Sequence, residues 1–493
     1  MDDAALSRLA EAAGIAACYW DINGNLHETT PETARQLLAA LGLAAANAAE
    51  IATSLRGLAD DPWREVLPPV VVATEAQAIA VAARLPAYLA GQAVRWSIDL
   101  ELGGTVGGEI QWASLPVDAA YDLYGTTTEL RHLTLPALPA GYHRLRLEAG
   151  AVAATAMLVV APPRCYLPPG APGARYWGID AQLYAIRSGT NWGIGDFGDL
   201  GTLVDWSAAA GADAVGLNPL HALFLDHPDA ASPYSPSSRL LLNPLYLDVT
   251  AIPDFAESAA ARTRFQSKAF SEGLRAVRAA QLIDYPCVAA AKLDILGLLH
   301  RHFLAAHAAD ARGAAFRKFV EDGGPGLQRL AVWQALAEHF RTHLWGQWPA
   351  AFRTPDSGDV ARFVATHPER LSFYQYLQWQ SEVQLAAAQD RAATGGMRLG
   401  LCRDLAVGVD AEGADHWANQ PAFVGAARIG APPDPFSEAG QEWGVIPFNP
   451  RRLRAAAYAP FISMLRANMR HAGALRIDHI MGWQRLFVIR ILA

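Results

Sequence analysis

Apolar residues follow three successive rhythms along the chain. Over the first sixty positions they recur at helical spacing, in Ala-rich stretches such as residues 6–13. Thr30-Pro31-Glu32 marks a helix start, a capping side chain followed by proline at the first helical position, and Leu37, Leu38 and Leu41 continue that helix until Gly42 weakens it. Between residues 67 and 160 the period becomes two. Val94-Arg95-Trp96-Ser97-Ile98-Asp99-Leu100-Glu101-Leu102 and Tyr142-His143-Arg144-Leu145-Arg146-Leu147 alternate apolar with polar, the pattern of half-buried strands. Gly103-Gly104 and Gly107-Gly108 bracket turns, so an antiparallel sandwich of immunoglobulin-like size is expected.

Beyond a proline-stiffened stretch the rhythm is strand, loop, helix, strand. Residues 177–186 predict a strand, 196–210 a helix closed by Gly211, and 214–218 a buried strand stopped by Pro219, together a βαβ unit. A mostly helical insertion covers 256–394; 397–407 and 474–480 supply two more short strands, the second after a helix over 454–471. Four parallel-type strands result. The predicted organisation is a helical segment (1–62), a β-sandwich-like domain (63–162), a linker (163–173) and an α/β domain (174–493).

Composition narrows the function classes. With 52% hydrophobic and 18% charged residues in 493 the chain has the material for large cores. A net charge of -8 argues against nucleic acid, whose binding draws on Lys and Arg contacts to phosphate. The most apolar stretches, such as 151–161, fall short of the ~20 residues of a membrane helix. Cys18, Cys165, Cys287 and Cys402 are widely spaced and no basic-then-apolar leader opens the sequence, which fits the cytoplasm.

Three stretches carry candidate chemistry. Gly193-Ile194-Gly195-Asp196-Phe197-Gly198 matches the dinucleotide fingerprint, but Asp196 and Asp199 would repel a pyrophosphate at that helix start; a capping role for Asp196 is the expected reading. His339 and His343 have the spacing of a zinc-protease helix with Phe340 where glutamate is needed, so a helix surface is expected and no metal or cofactor is implied. In Arg476-Ile477-Asp478-His479 the Arg and Asp share one face of a strand end, where a guanidinium would keep the carboxylate ionised for attack on a sugar's anomeric carbon. By spacing alone an ordinary ion pair fits equally well.

Several collinear blocks bear on that choice: Trp177-Gly178-Ile179, Gln182-Leu183-Tyr184, Arg187-Ser188, Asn191-Trp192-Gly193, Gly216-Leu217-Asn218-Pro219-Leu220-His221, Ser232-Pro233-Tyr234-Ser235-Pro236, Arg403-Asp404-Leu405, Gly440-Gln441-Glu442-Trp443-Gly444 and Arg476-Ile477-Asp478-His479. In this order they resemble the amylomaltases, the 4-α-glucanotransferases of glycoside hydrolase family 77. The resemblance implies a (β/α)8 TIM-barrel catalytic domain with a helical insertion, acting on maltooligosaccharides or α-glucans. It implies Asp478 as catalytic nucleophile, Arg476 and His479 beside the attacked glucose, Tyr234 stacking on that sugar, and Asp404, Gln441 and Trp443 contacting neighbouring glucose units.

Retaining glycosyl transfer needs a second carboxyl group roughly 5 Å from the first. In the family the acid/base Glu follows the Arg-x-Asp-His block on a later strand. Here residues 479–493 contain no Asp or Glu, and Arg490 stands where a family proline would follow Phe487-Val488-Ile489. The expectation is therefore an enzyme cut short within its barrel, inactive as written, with an open edge on the last strand and a tendency to aggregate. Replacement of the acid by Asp434 or Glu442 is not required by anything in the sequence. α-Glucan hydrolysis and catalytically silent α-glucan binding are the competing functions.

Overall fold

The computed structural model describes residues 3–168, 170–171, 173–435 and 437–490. Contacts divide the chain into two compact units. The first runs to Leu167 and takes in Pro433–Ala439 and Asn449–Phe461; the second holds Pro168–Pro432, Gly440–Phe448 and the chain from Ile462 onward. A contiguous reading of 174–493 does not anticipate the two late segments of the first unit. There Arg451 reaches Asp61 at 2.8 Å and Arg454 lies 3.7 Å from Glu65.

In the first unit, helices Asp3–Ala12, Pro31–Ala40 and Ala48–Arg64 enclose a small core of Leu6, Leu9, Leu38 and Ile51. Thr30 caps the second as expected, its side chain accepting from the Thr33 amide. The sandwich pairs a five-stranded sheet with a three-stranded one. Inward positions of Ile79–Pro86 and Gly141–Ala149 alternate with outward ones and bury Val81, Leu85, Leu145 and Leu147. Two expectations need correction. Val70–Thr74 pairs parallel to Val152–Ala161, so the sandwich is not wholly antiparallel. Gly107-Gly108 lies inside a strand, Thr105–Gln111, because the Trp96 ring covers it: a Cβ on Gly108 would sit 2.7 Å from that ring.

The second unit is built on a four-stranded, all-parallel sheet: β1 (Gly178–Ala181), β2 (Ala214–Leu217), β3 (Gly400–Leu405) and β4 (Ala474–Ile477), paired in that order. All four strands are shorter than their apolar runs. β1 ends at Ala181 because Leu183–Ala185 turns into a 3-10 helix whose entry is held by Asn218, the Oδ1 of which accepts from the Leu183 amide. Helix α1 (Phe197–Ala209) starts at a reciprocal capping box between Asp196 and Asp199, so the glycine-rich stretch serves a helix start.

The insertion is helical: α2 (Pro253–Glu257), α3 (Tyr285–Ala306), α4 (Ala311–Phe340) and α5 (Pro368–Thr394) pack against the sheet's large core with intervening shorter helices. His339 lies on α4, but His343 lies beyond its end at Arg341, which has φ 56°, so the two do not share a helix face; His343 stacks on His227. The helix expected over 454–471 is two, α6 (Pro450–Ala455) and α7 (Ala459–Met469), split by positive φ at Ala457 and Tyr458. Phe487–Arg490 joins Ala427–Ala431 antiparallel rather than lying beside β4, which among the described residues keeps one hydrogen-bonded neighbour.

Candidate active site

In a parallel pair, aligned residues project to the same face, and Asp404 on β3 is aligned with Arg476 on β4. Both sit next to the last residue of their strands. Arg476 Nη1 donates to both Asp404 oxygens at 2.9 Å, and its Nη2 donates to Asp478 Oδ1 at 3.0 Å. The guanidinium is thus shared between two carboxylates rather than reserved for Asp478. The carboxylates differ in setting: Asp404 has 7% of its side chain exposed, Asp478 55%. Burial pushes the Asp404 carboxyl above its ordinary range against the pull of Arg476, while Asp404 and then Asp478 raise Arg476.

Arg403, on the opposite face, is fully enclosed and donates to the carbonyls of Ala467 and Arg470 at the end of α7. Arg403-Asp404 therefore separates into an anchor for the sheet and a member of the site.

Past β4 the backbone turns sharply. His479 takes φ 50°, ψ 50°, a left-handed conformation uncommon for a non-glycine residue. Its ring meets Trp443 edge-on, with centroids 5.0 Å apart at 90°. Trp443 Nε1 donates to Gln441 Oε1 at 3.0 Å, and the Trp443 amide donates to the Ile429 carbonyl at 2.9 Å. Gly430 permits this: a Cβ there would lie 2.1 Å from the Gln441 carbonyl oxygen.

Tyr234 is 51% exposed on the loop before Pro236, whose carbonyl accepts from the Asp410 amide. Its phenol is pushed up by burial and then by Asp404, with smaller effects from Tyr184, Arg476 and Asp478, so it lies within electrostatic reach of the charged group. The structure therefore groups Tyr234, Asp404, Arg476 and Asp478, and joins them through His479 to Trp443 and Gln441. An aromatic face next to carboxylates, an amide and a guanidinium suits a pyranose, apolar on its faces and hydroxylated at its edges.

Other motif residues act as scaffold. Buried His221 Nε2 accepts from the Ala406 amide, and Arg239 donates to the carbonyls of Ala406 and Val407, shaping the loop after β3. Asp434 closes a turn by accepting from the Ser437 amide at 2.8 Å. Sequence reasoning passed over Asp180 on β1, which shares a layer with Gly216 and Cys402; its charge contributes to raising the Cys402 thiol, after burial. The usable signal was its place near the end of a parallel strand. Tyr184, quoted within a motif block but given no role there, contributes to raising Tyr234.

Residues 181–491 match a family described as 4-alpha-glucanotransferase, glycoside hydrolase family 77, and residues 66–162 match the MalQ N-terminal beta sandwich domain. A 4-alpha-glucanotransferase of Mycobacterium tuberculosis is 38% identical over 98% of this chain and 66% of its own length. One of Haemophilus influenzae is 38% identical over 73% of this chain and 53% of its own. The amylomaltase of Corynebacterium glutamicum superposes with a TM-score of 0.84 at 31% identity, covering 100% of this chain and 67% of that one. The Streptococcus agalactiae amylomaltase, solved with acarbose, shares the fold at a TM-score of 0.55 and 21% identity, over 64% of this chain and 62% of its own. The chain spans about two thirds of the length of the Mycobacterium relative.

Proposed function

The chain belongs to the 4-alpha-glucanotransferase family, glycoside hydrolase family 77, and from that premise we propose that it carries the nucleophile half of a retaining α-1,4-glucan transfer site. The observation that carries the reading is Arg476 bridging buried Asp404 and open Asp478 at the ends of adjacent parallel strands. Asp478 attacks the anomeric carbon, the bond to the departing sugar oxygen breaks, and that oxygen takes a proton from a general acid. A second sugar's 4-hydroxyl then displaces Asp478, giving up its proton to the same group, so two inversions leave the configuration retained. Arg476 holds both carboxylates in place, Tyr234 stacks on the attacked glucose, His479 orients it, and Asp404, Gln441 and Trp443 hold its neighbours.

We read the four parallel strands as four of the eight of a (β/α)8 barrel; their all-parallel pairing in one sheet supports this. Boundaries at 1–62, 63–162, 163–173 and 174–493 remain the proposed domains, the second supported by the sandwich match. Four free cysteines, three of them exposed, favour a reducing cytoplasm. Among the described residues no helix is long and apolar enough to cross a membrane.

No Asp or Glu follows Asp478 within these residues. A polypeptide of these 493 residues alone is therefore expected to bind maltooligosaccharides without turning them over. Together with a general acid, the site is expected to release glucose from maltotriose and to make longer chains. Thin-layer chromatography of a maltotriose digest tests this, since hydrolysis gives no longer products. Calorimetry with maltoheptaose tests the binding. Absence of binding to the folded chain contradicts the reading.

A further inference from the structure

A second cluster lies away from the sheet, where α2, the carboxyl end of α3 and the loop into α4 meet. One donor atom from each of Asp254, Glu257, His302 and His307 lies within 4.8 Å of the other three. Two imidazoles converge on a single oxygen: His302 Nε2 is 3.3 Å and His307 Nε2 2.5 Å from Glu257 Oε2. The other nitrogen of His307, Nδ1, is 2.7 Å from Asp310 Oδ2. A carboxylate there fixes the tautomer, because it only accepts, and leaves the Nε2 lone pair of a neutral ring aimed at Glu257. Two acceptors facing each other at that distance require positive charge between them.

An independent observation comes from Asp254. It is fully buried; its Oδ2 accepts from the Tyr376 hydroxyl at 2.7 Å and from Arg312, but Oδ1 has no hydrogen-bond partner. A buried carboxylate oxygen without a partner is costly. The charges also fall short of balance. Asp254, Glu257 and Asp310 face one nearby guanidinium, Arg312, which touches the first two. With both imidazoles neutral the remainder is two negative charges, the complement of a divalent cation; a proton on His307, which Asp310 and then Glu257 favour, leaves one.

We propose that Asp254, Glu257, His302 and His307 form a Zn2+ site that ties α2 to the end of α3, with Asp310 as a positioning residue. Two imidazole nitrogens and two carboxylate oxygens are a donor set that Zn2+ takes in tetrahedral geometry at about 2.0–2.2 Å. Mg2+ and Ca2+ prefer more, and all-oxygen, ligands. The role is structural: the ion would fasten helices in the insertion and take no part in sugar chemistry.

The test is titration of ZnCl2 into the untagged, chelator-treated full chain, followed by calorimetry and by thermal unfolding. Saturable uptake of a single ion, with a higher unfolding temperature, is expected, and a His302→Ala/His307→Ala double variant should lose both. CoCl2 should give the visible bands of a four-coordinate ion in the parent and none in the double variant. Asp310→Asn removes no ligand, so it should weaken Zn2+ binding about 10- to 100-fold while leaving the metal-free unfolding temperature near that of the parent. Glu257→Gln, at an exposed carboxylate, carries the same loss of affinity should the double variant fail to fold. No saturable uptake by the parent, as with a protonated His307 clamped between two carboxylates, overturns the site. So does uptake of equal affinity in the variants.

Discussion

Replacing Arg476 with glutamine separates the two carboxylates that share it. Asp404 is the more dependent partner, with 7% of its side chain exposed and both oxygens 2.9 Å from Nη1. Unit charges about 4 Å apart attract by about 4 kcal/mol at an effective dielectric of 20 and by about 1 kcal/mol in water. Arg476 is itself 54% exposed, which screens the pair and brings its value to about 2 kcal/mol. The exposed Asp478 pair is worth less. Losing that partner should push the Asp404 carboxyl higher still in the variant. The sign follows from its direction. A carboxyl raised in the folded state holds a proton that the unfolded chain releases, so the variant loses stability as pH rises from the ordinary carboxylate range through the folded value. Thermal unfolding of the parent, Arg476→Gln, Asp404→Asn and the double variant checks this. At about pH 8 the single Arg variant should be less stable by about 2 kcal/mol, the deficit should vanish near pH 4, and adding Asp404→Asn should restore most of it. A deficit that ignores pH, or losses that simply add, would refute the shared-guanidinium reasoning.

Lys292→Met should destabilise the second unit by about 3–5 kcal/mol at neutral pH, since it strands buried Asp196 and two carbonyls that Nζ meets at 2.7 Å. Asp196 already titrates at about 6 through burial, so that deficit should shrink on acidification through this range, which unfolding against pH reads. Tyr234→Ala should weaken maltoheptaose binding by about 1 kcal/mol in calorimetry, roughly 5-fold, and Tyr234→Phe should restore most of it if stacking is the role. Gly430→Ala forces a Cβ to 2.1 Å from the Gln441 carbonyl and should cost sugar affinity by displacing Trp443, seen as altered indole fluorescence.

The parallel sheet was legible because its strands are short apolar runs closed by loop signals, and β2, β3 and β4 fall inside the runs that predicted them. The grouping at the candidate site was legible in part: Arg476, Asp478 and His479 crowd one strand end, and Tyr234, Asp404, Gln441 and Trp443 stand in recognisable blocks. Cross-strand alignment was not legible: that Arg476 grips Asp404 more fully than Asp478 depends on the β3–β4 register. The hairpin Cys18–Trp20 with Leu26–Glu28 escaped notice because three-residue strands carry no measurable period. Gly107-Gly108 read as a turn since glycine's need to clear a ring is invisible before Trp96 is placed. The break between α6 and α7 has no glycine or proline at Ala457 and Tyr458, so composition gave no warning.

The most direct measurement of Asp478 as nucleophile bypasses the general acid. Fluoride leaves without protonation, so a maltosyl fluoride bearing a second ring fluorine, which slows release, should glycosylate a competent nucleophile unaided. Mass spectrometry of the digested chain is predicted to find the maltosyl adduct on the peptide containing Asp478, and none in Asp478→Asn. An adduct on another residue, or none while maltoheptaose binds the folded chain, would contradict Asp478 as the atom donor to glucose.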